Sequence, residues 1–157
     1  MWDILFSATN LIAVVGWGVL ILAPRTDTTR RFVLTVPIAL LSVIYAVLLV
    51  GLSAGWFDPE GASGGPSDLL SNYSVDGIMQ LFQSRGGIVV GWTHYLAFDL
   101  MVGWWIAGDA DARGIPRWSQ AGILLATFMA GPLGLAIYLF YRATRPGDEA
   151  GVDDAAG

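Results

Sequence analysis

Four apolar runs, each on the order of 20 residues and so long enough for one helical crossing of a bilayer, are separated by polar or turn-forming stretches. The first extends from about Ile4 to Ala23 and stops at Pro24. Ser7, Thr9 and Asn10 cluster in its first half, where hydrogen-bonding side chains commonly face neighbouring helices. A hydrophilic link, Arg25 to Arg31, leads to a second run over about Phe32 to Leu52. Its Pro37 falls in the first turns, where a missing N–H costs least. The third run covers about Ile88 to Ala107 and is followed by a polar turn from Gly108 to Arg117. The fourth, about Ser119 to Tyr141, is interrupted by Gly131-Pro132-Leu133-Gly134. Pro132 cannot donate to the carbonyl of Phe128, so a kink is predicted there.

The connection from Ser53 to Gly87 is longer than the others. Its turn formers from Asp58 to Pro66 predict a mobile piece. Beyond it, Val75, Ile78, Met79 and Phe82 recur at i, i+3, i+4 and i+7 behind Ser74, a good N-cap. That pattern predicts a short amphipathic helix ending before Gly86, lying on a membrane surface as a staple or, in a sharper reading, as a lid. The acidic, unpatterned tail 145–157 is expected to be disordered. The fold class expected is all-α: a polytopic membrane protein, a bundle of four transmembrane helices with a short amphipathic helix between helices 2 and 3. Residues 1–144 make its single domain.

Composition agrees with that class. The 157 residues are 55% hydrophobic and 13% charged, about half the charged share of a soluble domain. A net charge of -5 offers no basic patch for nucleic acid. With no cysteine, disulfides and thiolate chemistry are excluded; with no lysine, so is a Schiff base. Met1-Trp2-Asp3 lacks the cationic start of a secretory signal, and no arginine- and serine-rich leader follows. The expected location is therefore a bacterial inner membrane, or a plastid membrane for a mature organellar chain. Four crossings put both termini on one face. Arg25, Arg30, Arg31, Arg113 and Arg117 mark the other as cytoplasmic against Arg85, Arg142 and Arg145, so the termini are expected to be non-cytoplasmic.

The candidate chemistry lies in the third run, which holds the one histidine, His94, and a carboxylate, Asp99. An ionisable residue at membrane depth is costly and is by default a functional candidate. A lone histidine makes no imidazole-rich metal site, and one intramembrane carboxylate is too few for a di-iron bundle. Nucleotide-binding loops and the H-E-x-x-H pattern are missing as well. No metal or cofactor is expected.

Three separated blocks carry a resemblance: Trp92-x-His94 followed by Asp99-Leu100, the turn ending Gly114-Ile115-Pro116-Arg117, and Thr127-Phe128-Met129-Ala130-Gly131-Pro132-Leu133-Gly134. Between Arg85 and Arg142 the chain resembles the abscisic-acid-deficient-four-like family, whose plant members are associated with neoxanthin synthesis. The resemblance implies a small integral membrane protein acting on a carotenoid epoxide, or assisting that action. Opening a 5,6-epoxide such as violaxanthin to the allenic alcohol neoxanthin is redox-neutral and needs an acid and a base. Asp99 as acid and His94 as base is one assignment; the reverse stays open.

Helical spacing limits that pair. Five residues correspond to about 140° of rotation and roughly 7.5 Å of rise, so the two side chains share no stripe and are not expected to hydrogen-bond directly, which leaves room for both to flank one substrate. Asp99 shares a face with Trp92, Tyr95 and Gly103, and Tyr95 is one turn away. His94 shares its side with Phe98, Met101 and Trp105, a surface suited to a flat polyene, though such a stripe is more often core packing. The expected binding set is Trp92, Tyr95, Phe98, Met101 and Trp105, with Asn10, Phe128 and Pro132 contributed by other helices. A purely structural Asp99, bonded to Ser7, Thr9 or Asn10 across helices, remains an alternative. Two function classes follow: a cofactor-free carotenoid isomerase, and a noncatalytic carotenoid- or lipid-binding membrane partner of another enzyme. Expected partners are a carotenoid or other apolar polyene lipid, membrane lipids, and further copies of the chain or other carotenoid enzymes.

Overall fold

A computed structural model describes residues 1–57 and 74–144, so the turn formers from Asp58 to Pro66 and the acidic tail lie outside the described residues. Every regular element among the described residues is a helix. Helix α1 spans Trp2–Leu22, α2 Asp27–Ser53 and α3 Val75–Gln83. Helix α4 spans Arg85–Ala112, α5 Arg117–Met129 and α6 Gly131–Ala143. They form two compact units, Met1 to Met101 and Val102 onward, and α4 runs unbroken through the boundary.

In the first unit, α2 starts earlier than its hydropathy suggests. The Thr26 hydroxyl accepts a hydrogen bond from the Thr29 N–H at 3.1 Å, so helix begins at Asp27 and takes in most of the expected hydrophilic link. Pro37 consequently lies well inside the helix. Since it has no N–H to donate, the backbone widens into a π turn over Leu34–Ile38 and then resumes as α-helix. Pro37 then packs where α1 and α4 meet. A methyl placed on Gly16 would lie 2.6 Å from Leu100 Cδ2 and 3.0 Å from Pro37 Cβ, so the glycine is what lets the three helices approach. Toward the other end, Leu48, Leu52, Val89 and Val90 form a buried cluster with Trp2, Leu5 and Tyr45 against it.

The amphipathic helix is found where the pattern places it, with the Ser74 hydroxyl accepting from the Gly77 N–H at 3.1 Å. Its Phe82 ring is seated on α4 over Gly91, where an added methyl would overlap it. Both α1 and α2 are long and apolar enough to cross a membrane, and only 28% of each apolar window is buried.

The second unit departs from the expected kinked span. The supposed polar turn after α4 is helical through Ala112, and the real turn is confined to residues 113–116. Gly114 ends the helix at φ +64°, and the Ile115 N–H reaches back to the Ala110 carbonyl at 2.9 Å. Ala130, at φ -157° and ψ 81°, then separates α5 from α6, each of 13 residues. Pro132 occupies the first turn of α6, where its lack of an N–H leaves no gap in the ladder.

The chain reverses at Ala130. In a straight helix, residues seven apart are separated by about 10.5 Å, yet a methyl on Gly134 would overlap the Thr127 backbone. Near the start of α5, Gln120 donates to Asp111 and to the Ile115 carbonyl; near the end of α6, Tyr138 donates to Asp109. Asp109 and Asp111 belong to one turn of α4, so α5 leaves and α6 returns to the same place. The expected fourth span is therefore a helical hairpin. Each arm is about 20 Å long, short of the roughly 30 Å of a hydrocarbon core.

Candidate functional site

The first unit separates His94 and Asp99 of α4. Asp99 is buried, 7% exposed, on the side of the helix that also buries Leu96 and Leu100. His94 is exposed. Its ring stacks on Phe98, one turn along, with centroids 4.5 Å apart and planes 24° from parallel. Tyr45 of α2 lies 5.3 Å from it, with its plane tilted by 60°. Phe98 and Met101 are exposed too, so the side that His94 shares faces outward and is not core. An imidazole in contact with two rings offers nitrogen donor and acceptor groups at an aromatic patch.

A second aromatic group gathers around Trp92. The Trp92 indole N–H donates to Asn10 Oδ1 at 3.2 Å, joining α4 to α1, and its ring lies 5.7 Å from Phe6 and 5.4 Å from Tyr95. Asn10 completes its own amide by donating to the Phe6 carbonyl at 2.7 Å. The Thr9 hydroxyl turns to its own helix, donating to the carbonyls of Leu5 and Phe6. Phe6 and Tyr45 are additions to the expected set. Phe6 is spaced one turn before Asn10, whereas Tyr45 gives no local signal beyond being an aromatic residue in an aliphatic helix.

Trp105, Phe128 and Pro132 belong to the second unit. Phe128 is half-buried near the corner and Pro132 is exposed. Trp105 meets the edge of Tyr138 at 5.7 Å and lies under the Arg142 guanidinium at 6.0 Å. These contacts introduce the polar cluster that the sequence reading missed. The carboxylate of Asp109 accepts from the fully buried Tyr138 hydroxyl and from Arg113 Nε at 2.9 Å, with Arg142 Nε at 3.6 Å. Burial pushes the Asp109 carboxyl up, but the hydrogen bonds from Tyr138 and Arg113 and the two positive charges outweigh it, holding the group below its ordinary value. The signal was present: Asp109 and Arg113, and Tyr138 and Arg142, are both i, i+4 pairs.

Among the described residues, no group of three or more His, Asp or Glu side chains is placed to hold a metal ion. Neither the curated proteins nor the solved structures provide a match to this chain. The ABA DEFICIENT 4-like family model, however, matches residues 4–138, and the chain belongs to the ABA4-like family.

Proposed function

We propose that this protein is an integral membrane protein that binds a xanthophyll or a similar oxygenated polyene on the outward aromatic face of α4, serving the neoxanthin-related chemistry that its family suggests. The observation that carries this reading is the exposed stack of His94 on Phe98, with Tyr45 beside it, while Asp99 is buried. Flat rings and the Met101 thioether suit a conjugated chain, and the imidazole supplies a polar contact for an epoxide or hydroxyl group. A carboxylate kept at membrane depth favours a second reading, acid and base opening of an epoxide by Asp99 and His94. That reading needs both groups at one substrate, and their unequal exposure argues for binding first.

The same reading proposes a membrane arrangement. α1, α2 and α4 cross the bilayer, and the α5–α6 hairpin enters and leaves by the face that the end of α4 reaches. Limited burial of the apolar windows of α1 and α2 argues against their being core helices of a soluble fold. The N-terminus and C-terminus then lie on opposite faces, unlike the arrangement that four crossings would give. Arg25, Arg30, Arg31, Arg113, Arg117 and Arg142 share one face and Arg85 has the other, which makes the arginine-rich face cytoplasmic. The chain has no cysteine, so single cysteines at Thr26 and Thr144 can be labelled from either side. Both should be accessible from the cytoplasm only; a Thr144 site labelled from the opposite face would refute the hairpin arrangement.

Function is tested by incubating purified protein with violaxanthin and separating pigments by chromatography. Binding predicts retained, unchanged violaxanthin that is lost in a His94→Ala/Phe98→Ala double variant and kept in Asp99→Asn. Turnover abolished by His94→Ala and by Asp99→Asn would establish the isomerase instead. Retention equal to wild type in the double variant would reject the binding face.

A further inference from the structure

We propose that Arg113 and Arg142 form a phosphate site at the common end of α4 and α6, whose occupant is the phosphate of an anionic lipid headgroup. Both guanidinium groups direct Nε to one oxygen, Asp109 Oδ2. Their side chains are 21% and 35% exposed, so they are held yet reachable. A guanidinium carries five N–H donors, and Nε spends one of them. Among the described residues, no further hydrogen bond or ion pair takes the terminal Nη groups of either arginine.

Two cations, Arg113 and Arg142, meet at the Asp109 carboxylate, while the neighbouring Asp111 carboxylate accepts from Gln120. Two guanidinium groups anchored at one carboxylate oxygen keep their Nη donors for a tetrahedral oxyanion, which can accept from both at once. Position narrows the source. The cluster lies just beyond the apolar stretch of α4, with the Trp105 face under Arg142 and the exposed Phe140 and Trp118 on the adjoining helices. Aromatic side chains and arginines at that level suit the headgroup zone of a bilayer. Asp109 and Tyr138 act here as positioning residues: Asp109 holds Arg113 by a hydrogen bond and Arg142 by its charge, and the buried Tyr138 hydroxyl holds Asp109.

The lipid source rests on the membrane reading above, so the test separates the two. Full-length protein in a neutral detergent is titrated with phosphatidic acid, and with diacylglycerol of the same acyl chains, and retained lipid is counted by native mass spectrometry. Phosphatidic acid should be retained and diacylglycerol not. An Arg113→Gln/Arg142→Gln double variant, checked for helix content, should bind phosphatidic acid about tenfold more weakly. Arg142→Lys should recover only part of that, since an ammonium lacks the fork. Arg85→Gln should change nothing. Inorganic phosphate that displaces the lipid only when both arginines are present would uphold the site and assign it to free phosphate. Equal retention of phosphatidic acid by wild type and the double variant, or of diacylglycerol and phosphatidic acid by wild type, would overturn it. Alkaline extraction of membranes reports separately on the membrane reading. A chain released by carbonate that still bound inorganic phosphate through these arginines would lose the lipid and keep the site.

Discussion

The two units treat their polar groups in opposite ways. In the first, Thr9, Thr93 and Ser42 donate to carbonyls of their own helices, and Trp92 donates to Asn10 between α4 and α1. Packing there depends on close approach, with Gly16 against Leu100 and Pro37. In the second, Asp109, Arg113, Tyr138 and Arg142 form one connected network, and Gln120 ties α5 to Asp111 and Ile115. Long rods can be aligned by side-chain shape along their whole length. A short hairpin of 13-residue arms has less surface to align, so directional bonds at its open end and one glycine at its corner set its geometry.

The largest expected effect comes from breaking that corner. In Gly134→Val the new side chain would overlap the Thr127 backbone, which cannot rotate away, and a loss of about 3 kcal/mol is expected. Thermal unfolding followed by helix signal measures it. A variant as stable as wild type would show that the corner is not fixed by glycine contact. By contrast, Gly16→Ala meets the tip of a flexible Leu100 side chain as well as Pro37, and should cost about 1 kcal/mol.

The network gives the next effect. Asp109→Ala removes the acceptor of Tyr138 and Arg113 together and leaves a buried hydroxyl behind, so about 2 kcal/mol should be lost. Tyr138→Phe, which removes the hydroxyl with its bond, should cost about half as much. If the two variants proved equal, the arginines would contribute nothing through Asp109.

Acid should act on the same point. Because the Asp109 carboxyl is held below its ordinary 3.8 in the fold, its contribution is complete above the unfolded-state value and disappears as pH falls through the folded one. Stability should decline below about pH 4, and Asp109→Asn should lack that share of the decline when unfolding is measured across pH. The smallest effect is expected from Asp3→Asn. Its bond with Arg85 is 2.7 Å long, but both side chains are largely exposed, so about 0.5 kcal/mol or less is at stake. A larger loss would mean that this contact holds α1 to α4 in a way that exposed ion pairs seldom do.

Much of the fold was legible because apolar periodicity and caps are local. The 20-residue runs gave α1 and the body of α2, and Ser74 with its i, i+3, i+4, i+7 companions gave α3. The limits of α2 and α4 were misplaced because hydropathy marks where a helix is apolar, not where it ends. Thr26 starts α2 among polar residues, and Asp109 and Asp111 continue α4 beyond its apolar stretch. Reading Gly108 to Arg117 as a turn also hid the i, i+4 pair of Asp109 and Arg113. For the candidate site, the opposite directions of His94 and Asp99 followed from 100° per residue. Which direction is buried did not, since Tyr45 and the surrounding helices decide that.

Alone, the sequence determined helix type, the approximate lengths of the apolar rods and the angular separation of His94 from Asp99, all consequences of repeat geometry and local hydrogen bonding. Tertiary structure decided that Pro37 widens a helix whereas the Gly131-Pro132 step reverses one. Both prolines lack the same N–H. At Pro37 the helix continues through a π turn against α1, and at Pro132 a new helix begins, because Gly134 lets the chain lie back on Thr127 and Asp109 gathers the returning end.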